Sequence, residues 1–368
     1  MTATPAELPA ELSVELPAVR RDGIRIGPFG VAWRPRLLLA ALAALVLLLG
    51  LVVAGIAIGS AAIGPADVVR TFLGGGTAPQ RLIVLDLRLP RVLTGVLVGI
   101  CLGVAGALTQ TFTQNPLATP DVIGVTAGAS AGAVAAIVIG GGGYEISAAL
   151  LGRGIPVAAT AGALLAAALV YGLGWRDGVE SYRLVLVGIG VGSVLTALTS
   201  YLLVRAQISD ATRATAWLIG SLSGTSWTSI GPLLTVTVIA APLAVACSAP
   251  LAVAQLGDET ATGVGLAVQR HRLLVIVLAV VLTAAAVAAA GPIGFVAFVV
   301  PQIAVRLAGA SRPPLILSGL LGGCLVVGAD LAGRTVFPYP VPVGLLTTVV
   351  GAPYLIWLLI RHRKELTW

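Results

Sequence analysis

Lysine is almost absent from the 368-residue sequence: 21 of its 22 basic residues are arginines, and the single lysine is Lys364. The P-loop of nucleotide-hydrolysing proteins holds a lysine against the phosphates within a glycine-rich loop. Lys364 follows the last apolar run, precedes ELTW and lies in no glycine-rich loop. The chain cannot hydrolyse a nucleotide through this motif, so any work driven by ATP has to come from another chain.

Charged residues of every kind are scarce, at 10% of the chain, whereas 58% of the residues are hydrophobic and the mean hydropathy is +1.03. A water-soluble domain has too little interior to bury so much apolar surface, so lipid must surround most of the chain. The apolar runs predict an all-α polytopic membrane protein with about ten transmembrane helices. We place the spans at 37–59, 92–112, 121–140, 155–174, 183–204, 231–254, 272–291, 293–309, 314–333 and 341–361.

The interiors of these spans contain no Asp, Glu, Lys or Arg. Ion-coupled pumps usually keep such groups at membrane depth, so the absence disfavours an ion-driven pump. Sodium coupling through backbone carbonyls stays open. Asp330, near the end of span nine, has Arg334 one helical turn further on, and this spacing predicts an ion pair. The two histidines and three cysteines are not grouped, so a metal or redox site is not expected.

The net charge of +7 is explained by arginines beside the spans, and no nucleic-acid surface is needed to account for it. If the N-terminus is cytoplasmic, ten spans return the C-terminus to the same side and put fourteen of the 22 basic residues inside. We divide the chain into a disordered cytoplasmic leader (1–33), a transmembrane domain (34–363) and a cytoplasmic tail (364–368). Glycines recurring every four residues in span two predict a helix-packing face formed by Gly95, Gly99 and Gly103.

One polar segment, 256–272, separates spans six and seven. Asp258 suits a helix N-cap, and Glu259 adds negative charge in the first turn, where the helix dipole favours it. Gly263 and Gly265 predict a bend, and hence two short helices. Helices of this length are marginal alone. The segment therefore needs a surface to pack on, either the lipid headgroups or a partner protein.

Seven motifs occur in an order and at a spacing that resemble one family. They are LRLPRVLTGVLVG (87–99), QNPLATPDVIGVTAGASAG (114–132), SYRLVLVGIGVG (181–192), GSLSGTSW (220–227), LGDETATGVGL (256–266), GPIGFVAFVVPQIAVRLAG (291–309) and PVGLLTTVVGAPYLIWLL (342–359). Over roughly 37–361 the chain resembles the permease subunits of FecCD-type (type II) ABC importers for iron–siderophore complexes, haem and cobalamin. The ferric-catecholate siderophore permeases are the most similar. One departure is Gln302, where many relatives have histidine after the proline.

The resemblance implies the type II ABC importer permease fold and a set of partners. These are a second permease subunit, two ATPase subunits that bind ATP and magnesium, and an extracytoplasmic substrate-binding protein. A homologous heterodimer of permeases is favoured over a homodimer. This chain itself would bind no cofactor and no nucleic acid. It would lie in the bacterial inner membrane, in contact with lipid and with both termini cytoplasmic.

The resemblance also implies roles for particular residues. Coupling to the ATPase is implied for short helices at 256–268, through Gly257, Asp258, Glu259, Thr260, Gly263 and Gly265. The cytoplasmic gate corresponds to Glu180, Ser181 and Tyr182. Docking of the binding protein is implied for Arg88, Arg91 and Arg334, although arginines at such places also reach lipid headgroups. The translocation pathway would be lined by Gly188, Gly192, Ser193, Thr196, Thr199, Thr347 and Thr348.

The expected function is ATP-driven import of a ferric siderophore delivered by a binding protein. The chain would be a permease and not an enzyme, because ATP hydrolysis belongs to a separate subunit. Import of cobalamin or haem by the same architecture remains open. A different class, an energy-independent channel or secondary carrier, also remains open. A scaffold or sensor without transport fits the ten spans less well.

Overall fold

The computed structural model describes residues 23–26, 29–32, 34–59, 63–140, 144–176 and 180–363. Within these ranges the chain is helical apart from one short hairpin and the connecting loops. The helices are α1 (Pro35–Ala57), α2 (Pro65–Phe72), α3 (Ala78–Arg81), α4 (Leu89–Thr113), α5 (Val125–Gly140), α6 (Tyr144–Gly174), α7 (Ser181–Arg205), α8 (Ile208–Leu218), α9 (Trp227–Ala246), α10 (Ser248–Ala254), α11 (Asp258–Gly263), α12 (Val268–Ala290), α13 (Val296–Ala308), α14 (Leu315–Thr335) and α15 (Val343–Arg363). A π-helical turn (Leu82–Arg88) leads directly into α4, and a 3-10 turn (Pro120–Ile123) precedes α5.

Each predicted span corresponds to at least one helix. Seven helical segments are long and apolar enough to cross a membrane, and the shorter apolar helices α5, α13 and α15 account for the other three spans. The all-α membrane fold predicted from the sequence is confirmed.

The predicted span 231–254 is divided into two helices, because α9 ends at Ala246 and α10 begins at Ser248. Pro250 is the third residue of α10. Proline has no backbone N–H to donate to the carbonyl of Ala246, so the chain loses one helical hydrogen bond at the junction between α9 and α10. α10 is therefore a separate helix that leads into the polar segment.

A two-stranded antiparallel hairpin precedes α1. Its strands are β1 (Gly23–Ile26) and β2 (Phe29–Ala32), with Gly23 paired to Ala32 and Ile26 paired to Phe29. The prediction of disorder over 1–33 is therefore wrong for these residues. The sequence GIRIGPFGVA places short apolar runs on either side of a Gly-Pro pair, which is a turn signal. The remainder of the leader before residue 23 and the tail at 364–368 lie outside the described residues.

α4 lies at the centre of the bundle and packs against α9, α12, α13 and α14. A Cβ on Gly99 would collide with the backbone of α14 at Gly322, and one on Gly103 would collide with the carbonyl oxygen of Ser318. The packing face predicted for span two is confirmed at these two glycines. Such close backbone contact supplies van der Waals attraction where lipid provides no hydrophobic drive between helices.

Polar contacts collect at two opposite ends of the bundle. At the first, Arg272 of α12 pairs with Asp258 of α11, and Arg312 donates to the carbonyl oxygen of Ser248 in α10; we call this the α11 end. At the second, the start of α4 meets the end of α14 through Asp330, beside the end of α1. We call this the α2 end, because α2 follows α1 there.

Candidate coupling, docking and pathway sites

α11 is a six-residue helix bracketed by two glycines in left-handed backbone conformations. Gly257, with φ of 100°, is its N-cap, and Gly265, with φ of 88°, follows it. Glycine adopts positive φ without steric cost, so these positions set how the chain enters and leaves the helix. The predicted N-cap at Asp258 is wrong by one residue, because Asp258 is the first helical residue. The predicted second short helix is also wrong, since the chain passes from Gly265 directly into α12 at Val268.

Most of α11 is exposed, and only its Ala261 is buried. The Asp258 carboxylate accepts a hydrogen bond from Arg272 Nη2 at 3.1 Å, which ties the helix to the start of α12. An exposed ion pair of this kind contributes at most about 1 kcal/mol, so it orients α11 more than it stabilises the fold. Glu259 and Thr260 are uncovered, and the neighbouring Val264 is 70% exposed. The helix is therefore free to contact another protein.

The three predicted gate residues open α7. Glu180 precedes the helix in an extended conformation, and Ser181 is its first residue. Arg183 Nη2 lies 3.4 Å from Glu180 Oε2, and Tyr182 is 78% exposed. Because successive spans alternate in direction from α4 onward, this connection lies at the α11 end.

At the α2 end, Asp330 is 3% exposed and contacts two arginines. Arg91 donates from Nε and Nη2 to Asp330 Oδ1 at 3.0 and 2.8 Å. Arg334 Nε lies 3.0 Å from Asp330 Oδ2 without pointing its N–H at that oxygen, so this contact is ionic. The predicted pair between Asp330 and Arg334 is confirmed. The contact with Arg91, which is 239 residues away in sequence, was not predicted, because no local pattern signals it.

Arg88 is buried, whereas a residue that docks another protein is expected to be exposed. It is 6% exposed, and its Nη1 donates to the carbonyl oxygens of Ile56 and Ala57, each at 2.9 Å. Arg334 Nη2 donates to Gly55 O at 3.3 Å. The last carbonyls of a helix have no partner within it, so these two arginines cap the end of α1. Among the three predicted docking residues, Arg91 has the most exposed side chain.

Four of the seven predicted pathway residues line one open concavity of about 550 Å³, which we call the α7 groove. Its lining consists of Asp121, Val122, Ala127, Gly188, Ile189, Gly192, Ser193, Thr196, Ala197 and Ser200. Thr199 is buried away from it. Thr347 and Thr348 lie on α15, where both hydroxyls donate to Gly344 O, and they do not line the groove. Thr347 and Thr348 are therefore not part of the α7 groove as its lining is defined by the described residues.

The wall of the α7 groove is weakly polar. Ser193 and Thr196 donate their hydroxyl hydrogens to carbonyl oxygens one turn earlier in α7, at 2.8 Å each. Asp121 is the one ionisable residue in the lining, and its carboxylate accepts from Thr126. The wall thus offers hydroxyl oxygens and apolar surface with little fixed charge, an arrangement suited to a bulky solute that must be released.

Gln302 belongs to a buried glutamine pair. Its Nε2 donates to Gln110 Oε1 at 2.7 Å, and Gln110 Nε2 donates to Phe298 O at 3.0 Å and to Ala297 O at 3.5 Å. Pro301 cannot donate to Ala297 O, so Gln110 supplies the missing hydrogen bond. The pair joins α4 to α13. The sequence signal for Gln110, a polar residue inside an apolar span, was present but was not used.

Residues 46–361 match the FecCD transport family over most of the chain. The chain belongs to the FecCD transport family. Family members are permease subunits of ABC transporters, and the ATPase that drives them is a separate subunit. The chain is accordingly a multi-pass membrane permease that works with ATPase and binding-protein partners.

Curated relatives in this family align along nearly their full length. The ferric enterobactin transport system permease protein FepG of Escherichia coli (strain K12) is 37% identical over 84% of this chain and 92% of its own. The probable siderophore transport system permease protein YfhA of Bacillus subtilis (strain 168) is 38% identical over 91% of this chain and 96% of its own. The achromobactin transport system permease protein CbrC of Dickeya dadantii (strain 3937) is 39% identical over 87% of this chain and 90% of its own.

A solved structure has the same fold. It is described as an inward-facing conformation of a metal-chelate type ABC transporter, and it superposes with a TM-score of 0.76 at 26% identity. The match covers 87% of this chain and 98% of that chain.

Proposed function

We propose that this FecCD-family permease imports ferric siderophores across the bacterial inner membrane and is driven through α11 by ATPase subunits. The observation that carries the proposal is α11 itself, a short acidic helix at one end of an otherwise apolar bundle, tied to a spanning helix and uncovered on its other sides. The substrate class is supported by the relatives named for ferric enterobactin, siderophore and achromobactin transport.

The coupling step rests on the connection between α11 and α12. A movement of α11 reaches α12 through the ion pair between Asp258 and Arg272, and through the short link at Gly265. α12 packs against α4, α6 and α9, so the movement reaches the centre of the bundle. ATP and magnesium bind the ATPase subunits in this proposal, and the α11 end faces the cytoplasm together with both termini.

Docking of the binding protein takes place at the α2 end in this proposal. Arg91 and Arg334 surround one carboxylate, and Arg88 adds a third positive charge nearby. A cationic surface of this kind raises the encounter rate with acidic groups on a partner and orients it. Arg91 makes the direct contact, since it is the most exposed of the three, whereas Arg88 supports the end of α1.

A second permease completes the pathway. The face of α7 bears large apolar side chains without cover, including Leu186, Ile189 and Val194. A homologous subunit packed beside this face would close the α7 groove into a passage between the two permeases. We favour a heterodimer over a homodimer for this arrangement.

The coupling proposal is tested at Gly265. Gly265→Val forces a β-branched side chain into a left-handed conformation. The matched control is Gly231→Ala, at a helical glycine of α9 whose added Cβ would meet open space and which has no role in coupling. We expect Gly265→Val to lose ATPase association and substrate-stimulated hydrolysis while membrane insertion is retained, and Gly231→Ala to behave as wild type. Unchanged stimulation in Gly265→Val would contradict the role of α11.

The substrate proposal is tested by uptake in vesicles that contain the complete importer. Ferric enterobactin, cobalamin and haem are offered to the importer with its own binding protein. Accumulation of the ferric siderophore alone supports the proposal, and preferential accumulation of cobalamin or haem overturns it.

A further inference from the structure

Three arginines at the α11 end take no part in the coupling, gate, docking or pathway sites described above. They are Arg34 and Arg36 at the start of α1, and Arg312 in the loop between α13 and α14; we call them the basic patch. Arg36 Nη1 lies 3.4 Å from the position that a Cβ on Gly309 would occupy, so its side chain reaches the same loop. The pKa of the Arg312 guanidinium is lowered by burial and, after that, by the positive charge of Arg34, which places these two side chains near each other.

No carboxylate balances the basic patch within the described part of the chain. The ion pairs found there engage Arg91, Arg183, Arg272 and Arg334. Arg312 donates one hydrogen bond, to Ser248 O at 3.1 Å. Like charges held close to one another repel, and the repulsion is stronger near an apolar interior than in water. An anion bound among the three arginines would remove this repulsion.

The basic patch borders an apolar surface that faces outward. Leu38, Leu39 and Leu42, in the first turns of α1, are all exposed, and Leu39 is 67% exposed. Leu307 near the end of α13 and Ile316 at the start of α14 are also exposed, and they lie on either side of Arg312 in the sequence. A molecule with an anionic head and long apolar tails matches both surfaces at once.

We propose that the basic patch binds the headgroup of an anionic phospholipid whose acyl chains lie along α1. The first N–H groups of α1 have no partner within the helix and add positive potential at the same place. Arginine offers two parallel N–H donors to phosphate oxygens, which strengthens the contact. The bound lipid joins α1 to the α13–α14 loop, and through Arg312 to α10, the helix that precedes α11.

The test uses the full-length permease purified in a neutral detergent, with lipid binding followed by native mass spectrometry. We expect phosphatidylglycerol to be retained in preference to phosphatidylcholine by at least about tenfold, and inorganic phosphate to have no effect. A basic residue near an anionic headgroup contributes about fivefold in affinity. Arg34→Gln with Arg36→Gln should therefore weaken phosphatidylglycerol binding by about 25-fold. Adding Arg312→Gln should weaken it further.

The matched control removes two exposed arginines away from the basic patch, Arg205 at the end of α7 and Arg213 in α8. The variant Arg205→Gln with Arg213→Gln should bind phosphatidylglycerol as wild type does. Equal weakening in the control, no weakening in the Arg34 and Arg36 variant, or equal retention of phosphatidylcholine would each overturn the proposal. Occupancy by inorganic phosphate without a lipid preference would also overturn it, by assigning the patch to a soluble anion. The Arg34 and Arg36 variant leaves the hydrogen bond from Arg312 to Ser248 intact, so the main comparison removes no hydrogen bond of the fold that involves Arg312.

Discussion

Neutralising Asp330 should destabilise the α2 end, because this one carboxylate holds two arginines. Asp330→Asn keeps the shape of the side chain and removes its charge. Arg91 and Arg334 then lose their shared partner while Arg88 remains close by. The substitution therefore leaves positive charges that are partly buried and uncompensated.

The size of the effect follows from the burial. At an effective dielectric constant near 20, opposite charges about 4 Å apart attract by about 4 kcal/mol, and much of this offsets the desolvation of the groups. Removing one member of a buried pair costs about 3–5 kcal/mol because the other charge stays behind. Asp330 is almost fully buried but Arg91 is partly exposed, so we expect the lower end of this range, about 3 kcal/mol.

The free energy of unfolding can be measured by titration with sodium dodecyl sulfate in mixed micelles, followed by circular dichroism. Asp86→Asn is the matched control, since Asp86 is exposed and forms no ion pair among the described residues. A loss below about 1 kcal/mol, or an equal loss in Asp86→Asn, would refute the reasoning, because it would make the buried pair no stronger than a surface pair.

Three further predictions concern packing and capping. Gly99→Leu should prevent α4 from packing on α14, because even a Cβ at this position would collide with Gly322. We expect size-exclusion chromatography to show no folded protein for Gly99→Leu. The control Gly190→Ala, whose Cβ would meet open space, should remain folded. Arg88→Gln should lower the free energy of unfolding by about 2–4 kcal/mol, because two charge-assisted hydrogen bonds to α1 are lost. In surface plasmon resonance, Arg88→Gln should reduce the affinity for the binding protein less than Arg91→Gln does. The reverse order would assign the docking contact to Arg88. Gln302→Leu should cost about 1–3 kcal/mol in the same unfolding titration, since Gln110 Oε1 loses its buried donor; an unchanged midpoint would mean that the pair does not hold α4 to α13.

The membrane fold was predictable from the sequence because lipid imposes simple rules on it. A spanning segment must satisfy its own backbone hydrogen bonds and must be apolar over about 20 residues, and both requirements are visible in the sequence. The contact between Asp330 and Arg334 was predictable for a related reason, since residues four apart meet on one face of a helix. The glycines of span two predicted close packing on the same periodic basis.

Contacts between distant parts of the chain were not predictable in this way. Two of these contacts depend on which helices become neighbours. They are the contact of both Arg91 and Arg334 with one carboxylate, and the capping of α1 by Arg88. The sequence alone does not distinguish an arginine that caps a helix of its own chain from an arginine that binds another protein. Thr347 and Thr348, the predicted pathway residues on α15, show the same limit, because their sequence does not reveal that they lie outside the α7 groove.

In the proposed mechanism this permease provides the passage, while a separate ATPase drives transport through α11. Uptake of ferric siderophore can be measured in vesicles that contain the permease pair and binding protein, with and without the ATPase subunits. We expect accumulation against a gradient only when the ATPase and ATP are both present. Equal accumulation without the ATPase would show that transport is not driven through α11.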